Sequence, residues 1–162
     1  MVYYCDMKIP RLYIDTSVLG GCFDTEFAPW SNRLFTDVHR GLFVPVVSEI
    51  VAIEIQNAPA PVQTLYADLV THQAEILSVS ASALELAEIY QQRQILTAKF
   101  YNDGLHIAMA TIADVDLLVS WNFKHIVHYD KIRRFNAINL ERGYKPIQIF
   151  SPREVVSYDN EA

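Results

Sequence analysis

Cysteine, glycine and long apolar runs are all scarce in this sequence, and each scarcity excludes a class of protein. Two cysteines in 162 residues, Cys5 and Cys22, make neither a disulfide framework nor a metal-ligand spacing. They read as reduced thiols in a cytosolic compartment. Five glycines and seven prolines are too few for a collagen-like or low-complexity chain. No apolar stretch approaches the roughly 18 residues that span a bilayer, and the first ten residues lack a basic segment followed by an apolar run. The expectation is a soluble, cytoplasmic protein with no membrane association. Hydrophobic side chains, by contrast, make up 51% of the chain. A chain this long buries roughly two-thirds of its unfolded surface, so it needs no disulfide or metal to fold. A single domain over 1–162 is expected, with its core at about 11–155 and a frayed tail from Tyr158 to Ala162.

Positive charge is also in short supply. The net charge is −6, which argues against a nucleic-acid partner on the mean. The distribution says something different. Residues 1–120 carry six Lys/Arg against fourteen Asp/Glu, and residues 121–162 carry seven against five. Six of the thirteen basic residues, Lys124, Lys131, Arg133, Arg134, Arg142 and Lys145, fall within 121–145. A local basic rim beside an acidic site is compatible with that pattern, as is a solvated helix face.

The periodicity alternates between strand and helix. Arg11–Ile14 reads as a short strand running into Asp15-Thr-Ser17. Trp30, Leu34, Phe35 and Val38 recur at helical spacing, with Gly41 as the stop. Phe43–Val47 is a second strand, whose Pro45 is tolerated only near a strand end or at an edge. Ser48 stands where an N-cap belongs, ahead of a short helix over 49–55, and Pro61 opens a helix to about His72. A strand over 75–79 follows, then a helix capped by Ser80 or Ser82, then a helix capped by Asn102 that is apolar on most faces and therefore buried. Strands over 116–120 and 147–150 flank a helix over 130–142. Strands separated by such helices imply right-handed crossovers, so the fold expected is α/β, a mostly parallel sheet with helices on both faces.

Ligands of open α/β sheets bind beyond the carboxyl ends of the strands. Asp15 and Asn122 follow two strands, Glu54 lies in a helix after a third, and Asp103 lies at the start of the buried helix. Each has an ordinary reading as a turn, cap or surface residue. Glu54 and Asp103 nevertheless stand in apolar stretches, where an unpaired carboxylate is costly unless it reaches solvent or a cation. Carboxylates about 5 Å apart repel by roughly 3 kcal/mol at an effective dielectric near 20. Three together stay partly protonated or recruit a divalent ion, and hard oxygen donors suit Mg²⁺ or Mn²⁺.

Four blocks, Tyr13-Ile-Asp-Thr-Ser-Val-Leu19, Ser48-Glu-Ile-Val-Ala-Ile-Glu54, Asp103-Gly-Leu-His-Ile-Ala-Met-Ala110 and Leu118-Val-Ser-Trp-Asn122, together resemble the PIN-domain nucleases. The nearest group is that of single-domain VapC-type toxins. The resemblance implies a three-layer α/β/α sandwich and a metal-dependent ribonuclease site. Asp15, Glu54 and Asp103 match the family's acids and are its implied metal ligands and catalytic residues, with Mg²⁺ or Mn²⁺ as cofactor. Ser17 matches the small polar residue that supports the site. Asn122 stands where many members carry a fourth acid. An amide oxygen can position a water but brings no charge, so a second ion would be held more weakly.

What the resemblance implies chemically is hydrolysis of an RNA phosphodiester by an activated water, leaving a 5′-phosphate. An antitoxin protein as partner and a homodimer as working unit are further implications. The dimer also suits the nine Tyr and eight Phe of so small a domain. Lys124 and His125, just past Asn122, are candidate phosphate contacts. His106, one turn from Asp103, faces either the site or, as the commoner case, a backbone partner. Trp30 and Trp121 are more often core than base-stacking residues. Two other readings remain at this point: a PIN-like module that binds RNA or protein without cutting, and an unrelated metal-dependent phosphatase.

Overall fold

Alternation along the strands decides which side chain meets which helix layer. In the computed structural model, which describes residues 8–72 and 74–158, the strands are β1 (Arg11–Ile14), β2 (Val44–Ser48), β3 (Glu75–Leu77), β4 (Leu117–Val119) and β5 (Ile149–Phe150). All pair in parallel, in the order β3-β2-β1-β4-β5. Leu12 and Ile14 enter one core and Tyr13 the other; Val46 and Val47, and Leu118 and Val119, divide the same way. Successive strand residues point to opposite faces, and here both faces are covered, which is why the strands read as unbroken apolar runs.

The helices are α1 (Thr16–Gly21), α2 (Ala28–His39), α3 (Glu49–Glu54), α4 (Ala60–His72), α5 (Ala81–Gln92), α6 (Tyr101–Ile112), α7 (Tyr129–Glu141) and α8 (Pro152–Val155). Side chains of α1, α2 and α4 fill one core, and those of α5, α6 and α7 fill the other. The α/β/α sandwich expected from the sequence is the fold. Helix α6 is buried continuously from Gly104 to Thr111, as its all-round apolar pattern requires. No helix among the described residues is long and apolar enough to cross a membrane. Cys22 is a buried free thiol, while Cys5 and the tail beyond Tyr158 lie outside the described residues.

Local departures from the sequence reading have physical causes. Helix α1 was not foreseen: Asp15 caps it by accepting from Val18 N, and six residues are too few for a periodicity signal. Helix α6 starts at Tyr101 rather than after Asn102, because a 3-10 turn over Ala98–Phe100 leads directly into it. Pro45 lies inside the sheet, yet near a strand end. Val44 N donates to Pro10 O on the β1 side, so the next nitrogen faces β3, whose pairing begins only at Val46.

From β1 the chain winds outward through β2 to β3. It then crosses by way of α5 and α6 to β4 on the other side of β1. The order of winding reverses between β1 and β4, and the crevice beyond their carboxyl ends is where a doubly wound sheet receives ligands.

Candidate active site

Asp15 is the first residue past β1, and its N–H still pairs with Val119 O of β4 at 3.3 Å. Its carboxylate is therefore fixed at the switch point, and it is only 4% exposed. Ser17 Oγ donates to Oδ1 at 2.6 Å, Ser120 Oγ donates to Oδ2 at 2.6 Å, and Val18 N adds a 3.3 Å bond from the first turn of α1. All three donors are neutral. Burial pushes the Asp15 carboxyl above its usual range, and the charge of His106 together with these bonds does not offset it.

The two serines also tie β1 to the loop after β4. Trp121 N donates to Ser17 Oγ at 2.9 Å and Asn122 N donates to Ser120 Oγ at 2.9 Å. Trp121 itself is a wall of the neighbouring core. It stacks on Phe27 with centroids 4.3 Å apart and donates from Nε1 to Ser31 Oγ at 2.8 Å. A Cβ on Gly21 would come within 2.6 Å of both Trp121 Nε1 and Ser31 Oγ, so glycine is required for that approach.

Glu54 ends α3, with its side chain 30% exposed. Thr16 Oγ1 donates to its Oε1 at 3.0 Å, and His106 donates to the same oxygen from Nε2. His106 Nδ1 meets Tyr13 OH at 2.7 Å, and Tyr13 OH meets Ser48 Oγ at 2.7 Å. The hydroxyl of Ser48, the N-cap residue of α3, thus goes to Tyr13 rather than to a helix N–H. Burial raises the Glu54 carboxyl, but the hydrogen bond and charge of His106 outweigh it and the net direction is down. Burial likewise lowers His106. Glu54, and after it Asp15 and Asp103, overcome that effect and hold the imidazole above its usual value. His106 is thus bonded to side chains of the site, not to the backbone.

Asp103 stands in the first turn of α6 and accepts from His125 Nδ1 at 2.9 Å. His125 N in turn donates to Asn122 Oδ1 at 2.9 Å, and the Asn122 carbonyl accepts from Ile126 N and Val127 N. Asn122 therefore builds the turn that carries His125, which leaves its side-chain oxygen occupied by its own loop. Lys124 is exposed beside Phe100, with Nζ 6.0 Å from the ring centroid.

Hydrogen bonds thus run from Asp103 through His125, Asn122 and Ser120 to Asp15 and Ser17, while Thr16 links the same segment to Glu54. Among the described residues, however, no three His, Cys, Asp or Glu side chains form a ready metal-ligand set. Glu54 and Asp103 are each held by a histidine. Sequence reasoning missed Thr16, Ser120 and the Tyr13–His106 link. A serine ending an apolar strand at the switch point was a readable signal for Ser120, whereas the partner of Tyr13 depends on the packing of α6 and was not readable.

No protein-family profile matches the chain, and no curated protein matches it. Solved structures do. A toxin–antitoxin complex from Klebsiella pneumoniae aligns with a TM-score of 0.53 at 18% identity, over 70% of this chain and 88% of that one. VapBC2 from Rickettsia felis, bound to a DNA fragment from its promoter, aligns at 0.55 and 16% identity, over 86% and 97%. FitAcB from Neisseria gonorrhoeae aligns at 0.56 and 12% identity, over 89% and 99%. Identities this low carry the fold. The chain has the PIN-like α/β/α fold that its four sequence blocks called for, shared with chains of these three solved structures.

Proposed function

We propose that this chain is a Mg²⁺- or Mn²⁺-dependent ribonuclease that hydrolyses RNA phosphodiesters and serves as the toxin partner of an antitoxin protein. The observation that supports this best is Asp15, a buried carboxylate at the switch point whose hydrogen-bond donors are all neutral. Such a group is costly without a cation, and hard carboxylate and hydroxyl oxygens are the donors that Mg²⁺ and Mn²⁺ favour. Asp15 and Asp103 would hold the ion, with Glu54 reaching it through water. When bound, the ion supplies a more acidic water and positive charge for the transition state.

The protein's own groups do the positioning. Ser17 and Ser120 keep both Asp15 oxygens oriented, and Thr16 with His106 sets Glu54. His125 holds and orients Asp103, one of the carboxylates that would hold the ion. Asn122 carries the loop, and Lys124 meets a substrate phosphate. Attack in line with the 3′ oxygen leaves a 5′-phosphate. The working unit is a homodimer, to which exposed Phe23 and Ile53 bring apolar surface.

The test is cleavage of structured RNAs with Mg²⁺, Mn²⁺ or EDTA, alongside Asp103→Asn. Metal-dependent cleavage lost in the variant is expected. A second reading, a module that binds RNA or an antitoxin without cutting, draws on the histidine-held carboxylates and the neutral Asn122. RNA binding without cleavage under every metal condition would select it.

A further inference from the structure

An open cavity of about 780 Å³ is lined by His125, the hydrogen-bond partner of Asp103, and bounded by the end of α5, the segment leading to α6 and the loop that carries His125. That size is within the range of small-ligand sites. In a chain of net charge −6, none of the described residues lining it is acidic, and two are lysines, Lys124 and Lys131. Lys131 Nζ donates to Ile95 O, and no carboxylate pairs with Lys124 among the described residues. Phe100 gives the cavity an aromatic wall, its ring packed on His125 with centroids 3.9 Å apart. Lys99 Nζ stands 5.5 Å from the same ring.

Two amides complete the lining. Gln91 lines the cavity from the end of α5, with its Nε2 turned into the protein, buried and without a hydrogen-bond partner. Gln94 stands just past the end of α5 with φ of 61°, where Ile95 N returns to Tyr90 O. Glycine is the ordinary residue in that conformation, and any other side chain there is strained. Here the strained position places a glutamine at the cavity.

We propose that this cavity is a nucleotide subsite, taking one nucleotide of the RNA chain next to the scissile bond. Lys124 and Lys131 meet its phosphates, Phe100 and the apolar floor meet its base, and the Gln94 amide meets the base edge. The inference rests on the ribonuclease reading, because only a strand crossing the carboxylates has reason to continue past His125. Lysines without carboxylate partners, an aromatic wall and a side-chain amide match a nucleotide in all its parts, whereas an acidic peptide uses only the charge.

The test is anisotropy of a fluorescein-labelled single-stranded oligoribonucleotide in EDTA, across a salt series, with melting temperature measured in parallel. Lys124→Ala should weaken binding about fivefold to tenfold and reduce the salt slope by roughly 0.7, one single-strand phosphate contact. Gln94→Gly should weaken binding while the melting temperature holds or rises, because glycine relieves the strained backbone. Wild-type binding with neither variant affected would overturn the subsite and leave the ribonuclease reading standing. A wild-type protein that neither binds nor cleaves RNA would overturn both. A poly-glutamate peptide that binds as tightly as the RNA, with the same loss in Gln94→Gly, would overturn the nucleotide assignment.

Discussion

Two histidine–carboxylate pairs flank the crevice, and their imidazoles differ in depth. His106 and Glu54 have side-chain exposures of 3% and 30%, and the imidazole is braced behind by Tyr13 and Ser48. His125 and Asp103 have 12% and 21%, and that imidazole rides on a turn built by Asn122 and faces the basic cavity. The deep pair joins α3, α6 and β1, so its loss is felt by the fold. The rim pair joins α6 to a loop, with the Phe100 ring packed on its imidazole. Similar chemistry thus serves as a brace within the sheet in one place and as a latch between loop and helix in the other.

The largest expected effect separates the two carboxylates. Asp103→Asn should lower cleavage on the order of 10²-fold or more, as loss of several kcal/mol of charge stabilisation requires, with little change in melting temperature. Glu54→Gln should lower cleavage and also destabilise the fold by about 2 kcal/mol, since it leaves the buried His106 without its anion. Solvent reaching the partly exposed Glu54 keeps this loss below that of a fully buried pair. Equal melting temperatures for the two variants, measured by calorimetry, would break the distinction.

The imidazoles give a smaller contrast. His106→Ala removes a buried ring and its bonds to Glu54 and Tyr13, and should cost about 2–3 kcal/mol, or roughly 4–10 °C in a domain of this size. His125→Ala should cost about 1 kcal/mol or less and act mainly on cleavage. Thermal scans of both proteins check this, and the reverse order would mean that the loop, not the sheet edge, holds the site together.

How much of this was legible in the sequence depends on whether the feature is local. Asp15 and Ser17 follow a strand, and Asp103 starts a helix, so the pattern set their positions, while their expected roles came from the family resemblance. The sheet and its two helix layers followed from unbroken apolar strands between helices. His106 was readable as a residue one turn from Asp103, but not as the partner of Glu54, 52 positions away, because that contact exists only once α6 packs behind β1. Asn122 was read through the acid it replaces. Its structural work, accepting from His125 N, is a local turn that the comparison with acids obscured.

That turn sets the smallest predicted effect. Asn122→Asp keeps the oxygen that accepts from His125 N and adds a charge, so melting temperature without metal should fall only slightly while Mn²⁺ stabilises the variant more than wild type. Asn122→Ala should reduce cleavage less than Asp103→Asn, because it loosens the latch without removing a charged group. Identical Mn²⁺ dependence in wild type and Asn122→Asp, read by melting temperature, would confine position 122 to building the loop.

The most direct test of the account is the chemistry of the cut ends. Wild-type protein incubated with RNA and Mn²⁺ should yield fragments bearing 5′-phosphate and 3′-hydroxyl groups, and none in EDTA or with Asp15→Asn. Products ending in a 2′,3′-cyclic phosphate, formed equally well in EDTA, would contradict it, because the 2′-hydroxyl rather than water would then be the nucleophile and Asp15 would have no cation to hold.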